Sequence, residues 1–418
     1  MTIHNDAGEL NNIVVHKLKD KFGTRAVPTA ELELVGTPGY LLGTAGRFVI
    51  VVLARETVRE RLRLLILECN SGVAAIASMF NVTRIYNSIH SVSSMRRAIA
   101  VARDYATRRK AFGKMLRDYS LHMRTLASME VTFRGSLYFV LDVINIQGRV
   151  ECGVGSREDN ELLRLLTPLI KLFTARLALP IITEVSIDLP ACLLACLLDS
   201  CIDSKHSSFV QGIESLGGLG YLEDASDLPS LFRNAQVGTI WEGTTNILSH
   251  DLLRGTVSDR CGGVPRSGAH SCVCVSFCIL EIALQHTPGT IDTFAALVRR
   301  KIQAPSSSTS SPALANATAR VSEGLERIQT FYTSIGGGHK ADQIEPISRE
   351  FAFLMSGVYA GAVLIEHAHW SGSAIDQKVA QRWAIAHIGQ LSEIPSDAIC
   401  AEDKQLALVR SPLLSVID

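Results

Sequence analysis

Residues 12–35, NIVVHKLKDKFGTRAVPTAELELV, alternate apolar and polar positions in short pieces, punctuated by Gly23, Pro28, Gly36, Pro38 and Gly39. Period-two alternation between turn residues predicts strands joined by turns. From Asn81 the period changes. Ile85, Ile89, Val92, Met95 and Ile99 recur at three- and four-residue steps, with Arg96, Arg97 and Arg103 among them. That spacing predicts one long amphipathic helix running toward Phe112. A second helix is expected from Leu121 to about Gly148. A third is expected from about Asn160 to Ile182, with Leu162, Leu166, Leu169, Ile170, Phe173 and Leu177 on its apolar side. Pro168 should kink it or mark a start. A short fourth helix should lead into SLGGLGY (215–221), and a fifth should run from near Thr245 to Gly255, which suits a C-cap. The Ser-rich stretch QAPSSSTSSPALAN (303–316) reads as a linker. Beyond it, 317–338, 345–370 and 374–391 are expected to be helical. Residues 47–71, 186–204 and 257–275 fit no period, and there is no internal repeat.

Composition narrows the class. The 418 residues suffice for two or three domains. Apolar content is 47% with only 6% aromatic, so Leu, Ala, Ile and Val carry the core, which favours helices packed on helices. Acidic and basic residues balance at 41 each, so no global charge argues for nucleic acid or an anionic membrane. The start, MTIHNDAGELNN, has neither a signal-peptide apolar core nor transit-peptide composition. The apolar run Phe48–Ala54 is too short to span a bilayer. The sequence therefore predicts a soluble chain without a transmembrane segment. Of ten cysteines, Cys192, Cys196 and Cys201 cluster, as do Cys272, Cys274 and Cys278. Neither cluster has the spacing of a zinc site, so no metal is expected and the thiols read as small hydrophobes.

Candidate chemistry lies in three motifs. QVGTIWEGTTNIL (236–248) sets Glu242 between a tryptophan and a glycine, just before an expected helix N-terminus. Taken alone, Glu242 fits an acidic residue favoured by a helix dipole. The sharper alternative is a general base at a pocket rim. RRKAFGKML (108–116) offers the Arg109 guanidinium fork for a pyrophosphate, and the Phe112 ring beside it. ESLGGLGY (214–221) offers Gly217 and Gly218, where backbone amides can approach a ligand. Thr244 and Asn246 stand at a helix N-terminus that favours anions. Each motif is weak alone; their order and spacing together are much stronger.

That order resembles the acyl-CoA dehydrogenase family over roughly Asn12–Gly46 and Asn81–Gly255. LKDKFGTRAVPTAELEL resembles the end of the family's middle β-domain. NVTRIYNSIHSVSSMRRAIAVARDYATRRKAFGK is similar to the first helix of its C-terminal four-helix bundle. LGGLGYLED and LPSLFRNAQVGTIWEGTTNIL resemble its last two helices and their connection. LLRLLTP and WEGTTN, with a further helical region behind them, are most similar to the branch of the bacterial alkylation-response flavoprotein. The resemblance implies a mostly α chain with these parts: 1–46, a remnant of the middle β-domain; 47–79, an atypical insertion and lead-in; 80–256, the helical bundle, interrupted by an atypical insertion at 186–204; 257–316, irregular or linker; and 317–418, a C-terminal helical extension.

By the same resemblance, Glu242 is the base that removes the α-proton of an acyl-CoA thioester while the β-hydride passes to N5 of FAD. Physical chemistry agrees, since a carboxylate desolvated by an incoming acyl chain is a stronger base. Arg84 matches a family arginine near the active site; as a helix residue it reads equally well as a solvated charge. Trp241 and Gly243 would line the substrate side. Arg109, Phe112, Glu214, Gly217, Gly218, Thr244 and Asn246 would hold FAD, with Arg109 reaching the cofactor of a neighbouring subunit. That sharing implies a homodimer or homotetramer. An electron-transfer flavoprotein or similar acceptor would reoxidise the flavin. Nucleic acid is not expected as a partner. The family's compartments would be mitochondrial or peroxisomal.

The sequence also departs from the family. Its N-terminal helical domain and the first half of its β-domain have no counterpart here. Position 83, which supplies the base in some branches, is Thr; position 214 is Glu where many members have Gln; position 234 is Asn rather than Asp. The stretches 47–71 and 186–204 interrupt the pattern as a wrong gene model would, and a transcript lacking both would bear that out. The alternative function is a catalytically inactive helical flavoprotein fragment acting as a binding or assembly module, with nucleic acid as a remote variant.

Overall fold

The computed structural model describes residue 8 and residues 12–37, 71–183, 213–256, 290–303, 311–335, 345–389 and 391. The atypical stretch 186–204, nearly all of 47–71, both cysteine clusters and the expected fourth helix lie outside these residues. The chain divides into two compact units, residues 1–79 with 270–283, and residues 80–269 with 284–418.

In the first unit, β1 (Ile13–Leu18) and β2 (Ala30–Leu34) form an antiparallel hairpin. Ile13 faces Leu34 and Val15 faces Leu32, with one irregularity between Val15 and Lys17. Cross-strand polar contacts support this register, His16 with Glu33 at 2.8 Å and the ion pair of Lys19 with Glu31 at 3.1 Å. The strands expected from period-two alternation are therefore present.

Helix α1 (Ser71–Arg108) begins earlier than its expected start at Asn81 and runs into the second unit. Two-residue strands β3 (Lys110–Ala111) and β4 (Lys114–Met115) follow as a tight hairpin. Then come α2 (Ser120–Glu151) and α3 (Arg157–Ile182). Ser156 caps α3 with a capping box, its side chain accepting from the Asp159 amide while the Asp159 carboxylate accepts from the Ser156 amide. The helix thus starts well before Pro168, which lies in its interior and is not a start.

Helix α4 (Leu228–Gln236) lies between the SLGGLGY turns and α5 (Thr245–Thr256). Two findings correct the expected linker at 257–316. Helix α6 spans Thr290–Ile302, and α7 (Pro312–Ile335) begins inside the Ser-rich stretch. Ser311–Pro312 is a helix start: the Ser311 hydroxyl accepts from the Leu314 amide at 3.3 Å, and proline fits the first helical position. Helices α8 (Ser348–Ser371) and α9 (Ala374–His387) complete the described chain.

Two apolar cores share α2 and α3. One gathers Met95, Ile99 and Ala102 of α1, Met129 and Phe133 of α2, Ala178 and Ile182 of α3, and Leu228 of α4. The other gathers different faces of α2 and α3 with α5, α6, α7, α8 and α9. Helix α8 is its centre and packs against all six other helices of that group. The C-terminal helices thus form a second layer built on the bundle. A buried polar contact seals the junction. Lys301 of α6 reaches Asp142 of α2 at 3.0 Å and Glu366 of α8 at 2.7 Å, and the Tyr359 hydroxyl donates to Asp142 at 2.5 Å.

Helix α3, between the two cores, is buried on nearly every side rather than along the one face expected. Burial also explains why it and residues Glu345–Ser371 are long and apolar enough to cross a membrane: 83% of each apolar window is buried inside the protein, as in core helices.

Candidate active site

The turn carrying Glu242 is shaped by its neighbours in the chain. The Ile240 and Trp241 amides both donate to the Val237 carbonyl, at 2.9 and 3.1 Å, which closes a tight turn at the end of α4. Glu242 and Gly243 then take the left-handed conformation, with φ of +59° and +103°. A non-glycine residue adopts it rarely, and such strain gathers at functional positions. At Gly243 an added Cβ would also lie 2.9 Å from Leu248, so both backbone and space call for glycine. Thr244 precedes the first residue of α5, and its carbonyl accepts the Leu248 amide at 3.0 Å.

Helix α1 supplies the opposing wall. Thr83 donates to Glu242 Oε2 at 2.8 Å. The threonine at the alternative base position therefore orients the glutamate. One residue on, Arg84 is 5% exposed. Burial lowers its pKa, while Asp251 and Glu242 oppose that and favour the charged form. Its Nε is buried without a hydrogen-bond partner. Of the two readings of Arg84, the solvated charge is ruled out. Asn87 donates to the Gly238 carbonyl at 3.1 Å and ties the same helix to the start of the turn.

A residue with no sequence motif completes the cluster. Lys171, from the middle of α3, is fully buried and donates to the Gly243 carbonyl. Burial and the nearby Arg84 push its pKa down to about 8, against the pull of Glu242. Its only signal in the sequence is one cation inside the apolar run LLTPLIKLF. The cluster thus holds two cations, Arg84 and Lys171, and two carboxylates, Glu242 and Asp251. Trp241 beside it is 44% exposed.

A second grouping forms a cleft of about 870 Å³ between the end of α1 and the SLGGLGY turns. Arg109, Glu214, Gly217 and Gly218 line it together, as the motif order suggested. Gly217 has a φ of +59°, and nothing fills the space a Cβ would take there or at Gly218, so the backbone is open to the cleft. His122 of α2, which no motif marked, also lines it. Its Nε2 is buried without a hydrogen-bond partner, and burial lowers its pKa, favouring the neutral ring. Phe112 is not among the lining residues. It is 99% exposed at the tip of the β3–β4 hairpin, with a φ of +48°. Asn246 is exposed and accepts from Arg349 of α8 at 3.3 Å. No group of three or more metal-ligating side chains occurs among the described residues.

Comparison with known proteins follows this layout. Residues 70–185 match the family described as acyl-CoA dehydrogenase, C-terminal domain. Residues 290–406 match the family described as acyl-CoA dehydrogenase 11 C-terminal domain-like. The chain is 32% identical over 387 residues to acyl-CoA dehydrogenase family member 11 of Caenorhabditis elegans, covering 92% of this chain and 49% of that protein. It is 27% identical over 249 residues to the putative acyl-CoA dehydrogenase AidB of Escherichia coli, covering 59% and 35%. The crystal structure of Caenorhabditis elegans ACDH-11 in complex with C11-CoA is similar at a TM-score of 0.73 and 28% identity, covering 99% of this chain and 57% of that one. The chain therefore spans about half the length of the first of these relatives. With both of its helical layers matched in this way, the chain belongs to the acyl-CoA dehydrogenase family, of which it carries the C-terminal part.

Proposed function

We propose that the protein carries the base and part of the cofactor site of an FAD-dependent acyl-CoA dehydrogenase, with Glu242 as the residue that takes the α-proton. The observation that carries this is the Glu242 carboxylate, held in a left-handed turn against the Thr83 hydroxyl and beside Arg84. A surface acid favoured only by the helix dipole would need none of these contacts.

The chemistry of this chain's own residues is simple. An acyl-CoA thioester placed against Trp241 and Gly243 would bring its α-carbon to Glu242. The Thr83 hydroxyl orients one carboxylate oxygen, which leaves the other to accept the proton. The incoming acyl chain would exclude water from the reacting carboxylate. Arg84 and Lys171 are the cations that offset the carboxylate before transfer.

The residues of the cleft fit FAD. A guanidinium at Arg109, open backbone at Gly217 and Gly218, and the unpartnered Nε2 of His122 suit a polar, anionic nucleotide. Glu214 lies among them, Thr244 and Asn246 stand at the start of α5, and Phe112 would meet the cofactor from the exposed hairpin. When bound, FAD supplies the two-electron acceptor for the β-hydride. The exposure of Phe112 supports a cofactor site completed by a second copy, hence a homodimer or homotetramer. The acyl-CoA class is supported by the C11-CoA of the similar ACDH-11 structure. An electron-transfer flavoprotein or similar acceptor would complete turnover.

The test is the visible spectrum of the purified chain given FAD, before and after an acyl-CoA is added. Flavin bands that bleach are expected. Glu242→Gln should keep the bands and slow bleaching by roughly 10²- to 10⁴-fold. Bleaching of the variant at the wild-type rate would remove Glu242 from the mechanism. Flavin binding without bleaching in either chain would favour a binding module.

A further inference from the structure

We propose that Lys171 is a positioning residue, whose buried ammonium holds the Trp241–Glu242–Gly243 turn in the form that presents the Glu242 carboxylate to Thr83.

The placement of Lys171 is unusual. It is 0% exposed in the interior of α3, flanked by the buried Ile170 and Leu172. Lysine is almost never fully buried unless paired, and a leucine or methionine there would pack without desolvating a charge. Its hydrogen bond goes to the Gly243 carbonyl, in the backbone of the strained turn. Glu242 and Gly243 both have positive φ, a conformation from which a non-glycine residue relaxes unless its surroundings hold it. Beyond the backbone bonds that close the turn and the Asn87 bond at its start, three contacts hold Glu242 and Gly243. Thr83 grips the carboxylate, Leu248 packs against Gly243, and Lys171 takes the carbonyl. Of these, Lys171 alone is a charged donor to the backbone, and such bonds are the stronger class.

The charges around it fit the same role. Arg84 disfavours the ammonium and Glu242 favours it, while Asp251 favours the charged form of Arg84. Removing Lys171 takes away the cation that Glu242 favours and strands the Gly243 carbonyl. The turn then relaxes toward negative φ and carries Glu242 away from Thr83. The catalytic consequence rests on Glu242 being the base; the structural claim does not.

Hydrogen–deuterium exchange on the full chain tests this without cofactor or substrate. In Lys171→Met, peptides covering 237–248 should exchange roughly 10- to 100-fold faster, the loss expected for one charge-assisted bond. Peptides inside α2 and α8 should keep their protection. Lys171→Arg, which keeps a charged donor, should stay nearer to wild type than Met. Where turnover is measurable, kcat should fall in Lys171→Met with KM nearly unchanged. If the Met chain does not fold, Lys171→Gln carries the same comparison.

Unchanged exchange across 237–248 overturns the proposal. So does protection lost evenly through α2, α3 and α8, or an Arg variant no better than Met. Failure of all three variants to fold would assign Lys171 to the core and overturn it as well. Glu242→Gln turning over normally would sink the base assignment while leaving the exchange result standing, so the two failures are distinguishable.

Discussion

At the scale of single residues, the site depends on contacts between positions far apart in the chain. Thr83 and Glu242 are joined by a 2.8 Å hydrogen bond between α1 and the turn before α5. A hydrogen bond to a charged group contributes roughly 1.5–3 kcal/mol, so it can fix which carboxylate oxygen stays free. Thr83→Val keeps the side-chain shape and removes the donor. Bleaching of bound flavin at saturating acyl-CoA should slow by about 10-fold or more. An unchanged rate would detach Thr83 from the base. Arg84 illustrates what a motif alone leaves open. On a helical wheel it is one charge among several; in the fold it is buried, within electrostatic reach of Asp251 and Glu242.

At the scale of elements, close approach between helices sets the second layer on the first. Gly135 of α2 faces the indole of Trp383 on α9, and a Cβ there would lie 2.1 Å from the ring. The indole cannot easily give way, because its Nε1 donates to the Gly357 carbonyl at 3.0 Å and the residue is fully buried. Gly135→Ala therefore sets two effects against each other. Helix propensity favours alanine by about 1 kcal/mol. Overpacking against a rigid ring costs about 1–3 kcal/mol or more, and a 2.1 Å contact lies at the severe end. The clash should win. The variant should melt several degrees lower with altered tryptophan emission, and a Tm at or above wild type would show that α9 can shift freely.

At the scale of the whole second unit, the two cores are joined because α2 and α3 belong to both. His387, near the end of α9, reports on that junction. Its ring packs 4.1 Å from Trp383 and 6.3 Å from Phe173, and its Nε2 lies 3.3 Å from the Thr132 hydroxyl of α2. Part of the residue's surface stays accessible, but the ring is enclosed, and burial pushes its pKa down to about 4 from 6.5. The neutral ring is therefore the folded form. Its contribution is complete above about pH 6.5 and is lost as pH falls from there through 4. Chemical denaturation across that window should show stability falling with acid, and His387→Gln should flatten part of the slope. An identical slope in both chains would mean that the ring charges without disturbing the junction.

The local pattern of the sequence determined which segments are helices and strands, because burial of one face imposes a period of 3.6 or 2 on the apolar residues. Thus α1, α2, α3, α5, α7, α8 and α9, and the β1–β2 hairpin, were legible to within a few residues at most of their ends. Helix α6 was missed because its few turns, closed by a polar stretch, sit beside aperiodic sequence, and the start of α7 was hidden by serines that read as linker. The motifs marked Glu242, Arg109, Gly217 and Gly218, because arginine forks, glycine turns and a flanked carboxylate have recognisable local chemistry, whereas Arg84 was marked only by the family resemblance. Only tertiary structure decided that Thr83 grips Glu242, that Lys171 lies beneath the turn, that His122 enters the cleft and that the C-terminal helices share a core with the bundle. These are meetings of side chains from distant segments. No local period encodes them, and they follow only when burying the apolar faces of α2 and α3 from both sides brings those segments together.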